Sequence, residues 1–177
     1  MRDLINILEE KQTISLNPLK YGRKELQPAI SEKTINYHYG KLAKAYVDKF
    51  NAGQGDSDFM YAGAVLHNLY FSQFKKPSFT KPTGSSLELI TEKFKTFDSF
   101  KEQFTEEAMS IKGSGWAYLD KKGNIRSIAN HQTKTNVAFI VDMWEHSWAL
   151  DYEHKKDQYL KNIWRIIDWD VINQRLA

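Results

Sequence analysis

The chain has no cysteine in its 177 residues, which excludes disulfides and every thiolate-held metal or cluster. Any metal must then be held by imidazole or carboxylate, and that narrows the ions to iron, manganese, zinc and their neighbours. No stretch reaches the roughly 18 consecutive apolar residues of a membrane span, so no membrane partner is expected. The opening MRDLINILEEKQ carries acids where a signal peptide would place an apolar block, and the expectation is a cytoplasmic protein. Charge of one sign is scarce too. The net charge is +3 and the lysines are scattered, which argues against nucleic acid as a partner while still favouring the approach of a small anion. Phosphate-binding glycine loops, nucleophile elbows, internal repeats and low-complexity tracts are also missing.

What is present is enough apolar material for a core: 41% hydrophobic residues, 14% aromatic, in one compact domain or two small lobes sharing a core. Residues 1–15 read as an extension with a short amphipathic turn at Leu4, Ile5, Ile7 and Leu8. From Ser31, an N-cap residue type, SEKTINYHYGKLAKAYVDKF places Ile35, Tyr39, Leu42, Tyr46 and Phe50 at helical spacing, with His38 beside the stripe. After the breaker NAGQGDSD, the run FMYAGAVLHNLYFSQF is apolar almost all round, a buried helix with His67 in its middle. Two helices joined so closely form an antiparallel hairpin, giving a first lobe over residues 16–82.

KKPSFTKPTGSS, with two prolines and a glycine, reads as the linker to a second lobe over residues 83–177. Ser85-x-x-Glu88 and Ser99-x-x-Glu102 are capping-box patterns and predict two helix starts. WAYLD, IRSIAN and VAFIVDM are β-rich, the first two joined by the turn Lys-Lys-Gly-Asn. A closing helix over DQYLKNIWRIIDWDVINQRL would put Leu160, Ile163, Trp164, Ile167 and Val171 on one face. The order predicts an α+β fold: a helical hairpin, then a lobe of helices around a small three-stranded antiparallel sheet.

Five histidines are present: His38, His67, His131, His146 and His154. Singly, each has an ordinary explanation, such as a hydrogen-bonded boundary residue for His38. His67 is harder to dismiss, because a histidine inside an apolar helix needs partners for both ring nitrogens. Asp142 and His146, in VDMWEH, stand four apart at the end of an apolar run, where burying either alone is costly. If the hairpin brings His38 and His67 face to face and this strand end closes the gap, three imidazoles and a carboxylate converge. Such a set suits iron or manganese, with zinc also open. A different mononuclear iron enzyme built on two histidines and one carboxylate is a further reading, although that set leaves positions open for a cosubstrate.

Several pieces together make the chain resemble the iron/manganese superoxide dismutase family: LNPLKYGRKELQPAIS, YHYGK at 37–41, LHNLYF at 66–71, FKEQFTEEA followed by GSGW at 113–116, DMWEH at 142–146, and DQYLKNIWRIIDWD. The resemblance runs from Leu16 to Leu176. It implies an enzyme that converts superoxide to dioxygen and hydrogen peroxide with one iron or manganese ion per subunit, held by His38, His67, Asp142 and His146. It also implies Tyr46 as the tyrosine that lines the substrate channel and passes protons, and Trp116 and Trp144 as aromatic walls of the site. Glu145 matches the glutamate that reaches the partner subunit's copy of the last histidine in a homodimer. The family's glutamine that contacts the coordinated solvent has no counterpart on the helix, where Gly63 stands. The loop alternative aligns with His131, a slight lean to iron, whereas Gln132 there would favour a manganese-like site. Lys41 and Lys156 are candidates for steering superoxide.

The chain departs from the family at Leu42 and Ala149, where a histidine and a tyrosine commonly meet across the dimer, and at Phe71, commonly tryptophan. Loss of both halves of one contact implies a coordinated exchange of a polar for an apolar contact. An alternative function follows from the same departures: a dismutase-like fold kept as a structural or interaction module.

Overall fold

The computed structural model describes residues 12–78 and 81–177, so the expected turn at Leu4 to Leu8 lies outside the described residues. Residues 14–17 run extended along the first two helices: Asn51 and Asn68 use their side-chain amides to grip Ile14, Ser15 and Asn17 on backbone groups.

The first helical stretch begins where the sequence predicts. The Ser31 hydroxyl accepts from the Thr34 N–H at 3.1 Å, capping α1 (Glu32–Tyr37). It does not continue as one regular helix. A π-helical turn, His38–Ala43, separates α1 from α2 (Lys44–Ala52). The wider turn inserts one residue into the helical repeat, so burial passes from Thr34, Ile35 and His38 to Ala43 and Val47, a step of five. The expected stripe at Tyr39, Leu42, Tyr46 and Phe50 is only half-buried, while His38 turns fully inward.

Gly53, at φ 69°, ends α2 in the left-handed conformation that favours glycine. Asp56 caps α3 (Ser57–Ser72) by accepting the Phe59 N–H at 2.8 Å. α2 and α3 pack against each other, and α3 buries Leu66, His67, Tyr70 and Phe71.

α4 (Gly84–Phe94) and α5 (Phe97–Ser110) start earlier than the capping-box patterns predict. Thr96, rather than Ser99, caps α5, with Ser99 supplying the N–H. Ser86 bonds back to the Thr83 carbonyl, so the serine run stabilises the entry to α4 from inside the helix.

The sheet has strand order β2-β1-β3, antiparallel throughout: β1 (Gly115–Asp120), β2 (Ile125–Ala129) and β3 (Val137–Asp142). The Lys-Lys-Gly-Asn turn joins β1 to β2 as expected, organised by Asp120. Its carboxylate accepts from the backbone of Lys122 and Asn124, the Asn124 amide and the Arg126 guanidinium. β1 and β3 are buried on both faces, and Trp116 stands opposite Asp142.

After α6 (Glu145–Tyr152), the closing segment is broken where one helix is expected. α7 (Lys156–Ile163) passes through a 3₁₀ turn, Trp164–Ile166, before α8 (Trp169–Leu176), which Asp168 caps. The break is a tertiary effect. Ile167 leaves the helix to form a β-bridge with Phe74, and Lys75 N–H and Asp168 N–H bond to the carbonyls of Ile166 and Gln73. Phe100, Phe104, Phe139 and Trp164 pack ring on ring at the centre of this lobe. Among the described residues no helix is long and apolar enough to cross a membrane.

Candidate metal centre

Each of the four expected ligands is delivered by a separate local device. The π turn starts at His38, and such insertions recur at functional sites because they re-aim one side chain without ending the helix. α3 carries His67 on its buried face. β3 ends at Asp142, and α6 begins three residues later, putting His146 one helical turn beyond it.

The four side chains converge. Nε2 of His38 lies 3.1 Å from Asp142 Oδ2, that of His146 3.3 Å and that of His67 3.8 Å. All four candidate donor atoms lie within 4.8 Å of one another. His38, His67 and Asp142 are buried, and His146 keeps 14% of its side chain exposed, so the cluster has one solvent-facing edge.

Protonation fits a donor role. Burial lowers the His38 imidazole to about pKa 4 and His67 well below its ordinary value, so both are neutral at pH 7. Burial by itself would raise Asp142, but the imidazoles of His146 and His38 outweigh it and hold the carboxyl well below its usual range. His67 Nδ1 sits 2.6 Å from the Gly63 carbonyl. A carbonyl only accepts, so Nδ1 carries the proton and the Nε2 lone pair is left free. Nε2 of His38 and of His67 are both buried without a hydrogen-bond partner. Two unpartnered imidazole nitrogens beside an ionised carboxylate are costly in a bare core and suited to coordinating a cation. The donor set, three imidazoles and one carboxylate, fits a single iron or manganese ion.

The surrounding residues predicted from sequence also gather here. Tyr46 stacks on His67 with ring centroids 5.2 Å apart, and burial, followed by the Asp142 charge, pushes its hydroxyl up to about 12. Gly63 lets that ring in: a Cβ there would meet Tyr46 Cδ1 at 2.6 Å, so no longer side chain fits without moving Tyr46. Trp116 meets His67 edge-on at 5.1 Å, and its indole N–H donates to His131 Nδ1 at 3.1 Å. His131 stacks on Trp144 at 4.6 Å and touches Tyr46 at 4.8 Å, leaving its buried Nε2 unpartnered. Gln132 is exposed, in an outer cleft that His131 also borders, while His131 itself is buried, so His131 is the loop residue brought inward. Phe71 packs on His38 at 4.8 Å.

The remaining candidates are more peripheral. Glu145 is exposed and shares a surface cleft with Tyr37, His146, Ala149 and Lys156. Lys156 sits with its ammonium 5.1 Å over the Trp148 ring, and Lys41 lies in a neighbouring cleft with Tyr37 and Leu150. Sequence reasoning missed Tyr159, whose hydroxyl donates to the Asp142 carbonyl at 3.0 Å and meets the Tyr70 hydroxyl at 2.8 Å. The signal was two tyrosines in apolar stretches, each needing a partner for its hydroxyl.

Comparison with known proteins agrees with this architecture. Residues 13–59 match the family described as "Iron/manganese superoxide dismutases, alpha-hairpin domain", and residues 82–175 match "Iron/manganese superoxide dismutases, C-terminal domain". The chain is 33% identical to the protein named "Superoxide dismutase (Fe)" from Bacteroides fragilis, over 93% of this chain and 100% of the relative. It is 32% identical to "Superoxide dismutase (Mn/Fe)" from Porphyromonas gingivalis, over 92% and 99%, and 30% identical to "Superoxide dismutase (Fe)" from Plasmodium malariae, over 92% and 96%. With two family matches covering most of the chain and relatives aligned over nearly its whole length, the chain belongs to the iron/manganese superoxide dismutase family.

Proposed function

We propose that His38, His67, Asp142 and His146 hold one iron or manganese ion, iron favoured, and that the protein works as a superoxide dismutase at that centre. The observation that carries this reading is the convergence of three imidazole nitrogens on one carboxylate oxygen in a buried pocket, two of those nitrogens having no other partner. When bound, the ion supplies the redox chemistry, taking an electron from one superoxide and giving one to the next, so that two superoxides and two protons yield dioxygen and hydrogen peroxide.

The chain's own residues handle binding and protons. Asp142 would offset part of the ion's charge, and three imidazoles, which bring no negative charge, would leave it electron-poor. Tyr46, with its hydroxyl held protonated, is a proton donor at the wall of the site. His131 accepts from Trp116 at Nδ1, so its neutral ring carries a proton on Nε2 and presents a donor. Glycine at 63 leaves that task to His131, and this, with relatives named for iron and for manganese/iron, supports the preference for iron.

The same reading assigns a homodimer. Glu145 and the exposed rings and chains of Tyr37 (42%) and Leu150 (44%) surround the edge of His146, a surface suited to a second copy that would complete the site. Leu42 and Ala149, both half-buried, would supply an apolar contact there. Lys41 and Lys156 add positive potential for an incoming anion.

The test is metal analysis of the purified protein, followed by superoxide consumption after reconstitution with iron and with manganese separately. Consumption no faster than that of the free ions in both forms would overturn the reading.

A further inference from the structure

Gln73 is fully buried at the C-terminal end of α3, six residues after His67. An amide at the end of an otherwise apolar helix must be matched in hydrogen bonds. Its Nε2 donates to the Ile140 carbonyl at 2.5 Å, and its Oε1 accepts the Ile140 N–H at 3.2 Å. β3 is an edge strand, with β1 on one side only. The peptide groups of Ile140 on its open side would lack partners there, and the Gln73 side chain pairs with them as a neighbouring strand would.

Arg175, on α8, completes the arrangement. Nη1 donates to Gln73 Oε1 at 3.1 Å and to the Ala138 carbonyl at 3.0 Å. Nη2 donates to the Leu69 carbonyl at 2.6 Å and to Ser72 Oγ at 2.9 Å, both in the last turns of α3, where a cation also suits the helix dipole. The guanidinium thus joins the end of α3 to β3 at Ala138, Gln73 holds Ile140 on the other side of Phe139, and the Arg175 contact fixes which way the Gln73 amide faces.

We propose that Gln73 and Arg175 are positioning residues for the metal centre: a buried brace that fixes the helix carrying His67 against the strand carrying Asp142. The proposal rests on the reading of those residues as ligands. Ile140 is two residues from Asp142, on the same side of β3. Metal sites require donor atoms held to within about 0.2 Å, which rotamer packing alone does not secure at the end of an edge strand. Without the brace, β3 keeps only its ladder to β1 and the Tyr159 hydroxyl on the Asp142 carbonyl, and the Asp142 carboxylate can shift relative to His67.

The test uses the full chain with Gln73→Leu, Gln73→Glu and Arg175→Lys, each loaded with manganese or iron. Three quantities are measured: the rate of metal loss to a chelator, the visible and electron paramagnetic resonance spectra of the bound ion, and the urea stability of the loaded and the metal-free protein. Gln73→Leu and Arg175→Lys should lose metal roughly tenfold faster than the parent and show an altered ion spectrum. Gln73→Glu, which keeps an acceptor for the Ile140 N–H and Arg175 but has no donor for the Ile140 carbonyl when ionised, should fall between the parent and Gln73→Leu in both. Parental spectra and metal-loss rates in Gln73→Leu, with stability lowered equally in loaded and metal-free protein, would overturn the proposal and leave a purely structural role. If Gln73→Leu does not fold, Arg175→Lys decides by the same measurements. If the parent protein takes up no stoichiometric metal, the ligand reading fails first and this proposal with it.

Discussion

Gly63 illustrates how a missing side chain shapes the site. Its Cα takes the Tyr46 ring, and the Tyr46 ring in turn stacks on His67. Gly63→Ala should lower the stability of the metal-free protein by about 1–3 kcal/mol, the usual cost of overpacking. Tyr46→Ala in the same chain should remove most of that penalty, and a urea double-mutant cycle measures the coupling. Protonation gives a second prediction at this scale. Burial lowers His131 to about 4, as it does His38, while an unfolded chain titrates near 6.5. The folded state therefore resists protonation: its stability is complete above about pH 6.5 and declines as pH falls towards 4. His131 alone should cost about 2 kcal/mol by pH 5. Urea midpoints of the metal-free protein should fall between pH 7 and 5, and less steeply for His131→Gln; a flat profile would contradict the burial argument.

At the level of elements, most of what the sequence showed was local. The Ser31 cap, the apolar helix around His67 and the Lys-Lys-Gly-Asn turn all stand as their residue types predict. The misses were caused by distant partners. Nothing within DQYLKNIWRIIDWD announces that Ile167 will bridge to Phe74, and a π turn leaves helical propensity almost unchanged while shifting the buried face. The burial of His38 was thus visible as chemistry but not as geometry. Asp120 was overlooked although Asp before a Gly-containing turn is a familiar organiser. Burial opposes its ionisation, yet Asn124, Arg126 and the Lys122 amide hold its carboxyl below the ordinary value. Its stabilisation should therefore be present above about pH 3.8 and be lost as pH falls through the lowered value. Asp120→Ala should cost about 2–3 kcal/mol at pH 7, and the difference from the parent should shrink near pH 3 in denaturant unfolding.

For the whole molecule, the four candidate ligands come from both parts of the chain, so a bound ion links the π turn and α3 to β3 and α6. An ion present at about a hundred times its dissociation constant adds roughly 2.7 kcal/mol to stability. Removing metal should then lower the melting temperature by about 5–10 °C in a chain of this size, read by calorimetry before and after chelation. Asp142→Ala should melt at the same temperature with or without metal. The family resemblance was legible because motifs such as DMWEH and GSGW keep their order. The Gln73 and Arg175 pairing was not, because it depends on side chains far apart in sequence meeting at the open side of a strand.

The spacing of the four candidate ligands also bears on the order in which they can meet. Asp142 and His146 are four residues apart and meet as soon as one turn forms, whereas His38 lies more than a hundred residues upstream of Asp142. Long-range closure is slow because chain entropy is lost before contacts compensate for it. On the proposed ligand reading, a chain that has formed only the end of β3 and the start of α6 would offer two donors, Asp142 and His146, and the four-donor set would be complete only when His38 and His67 join them.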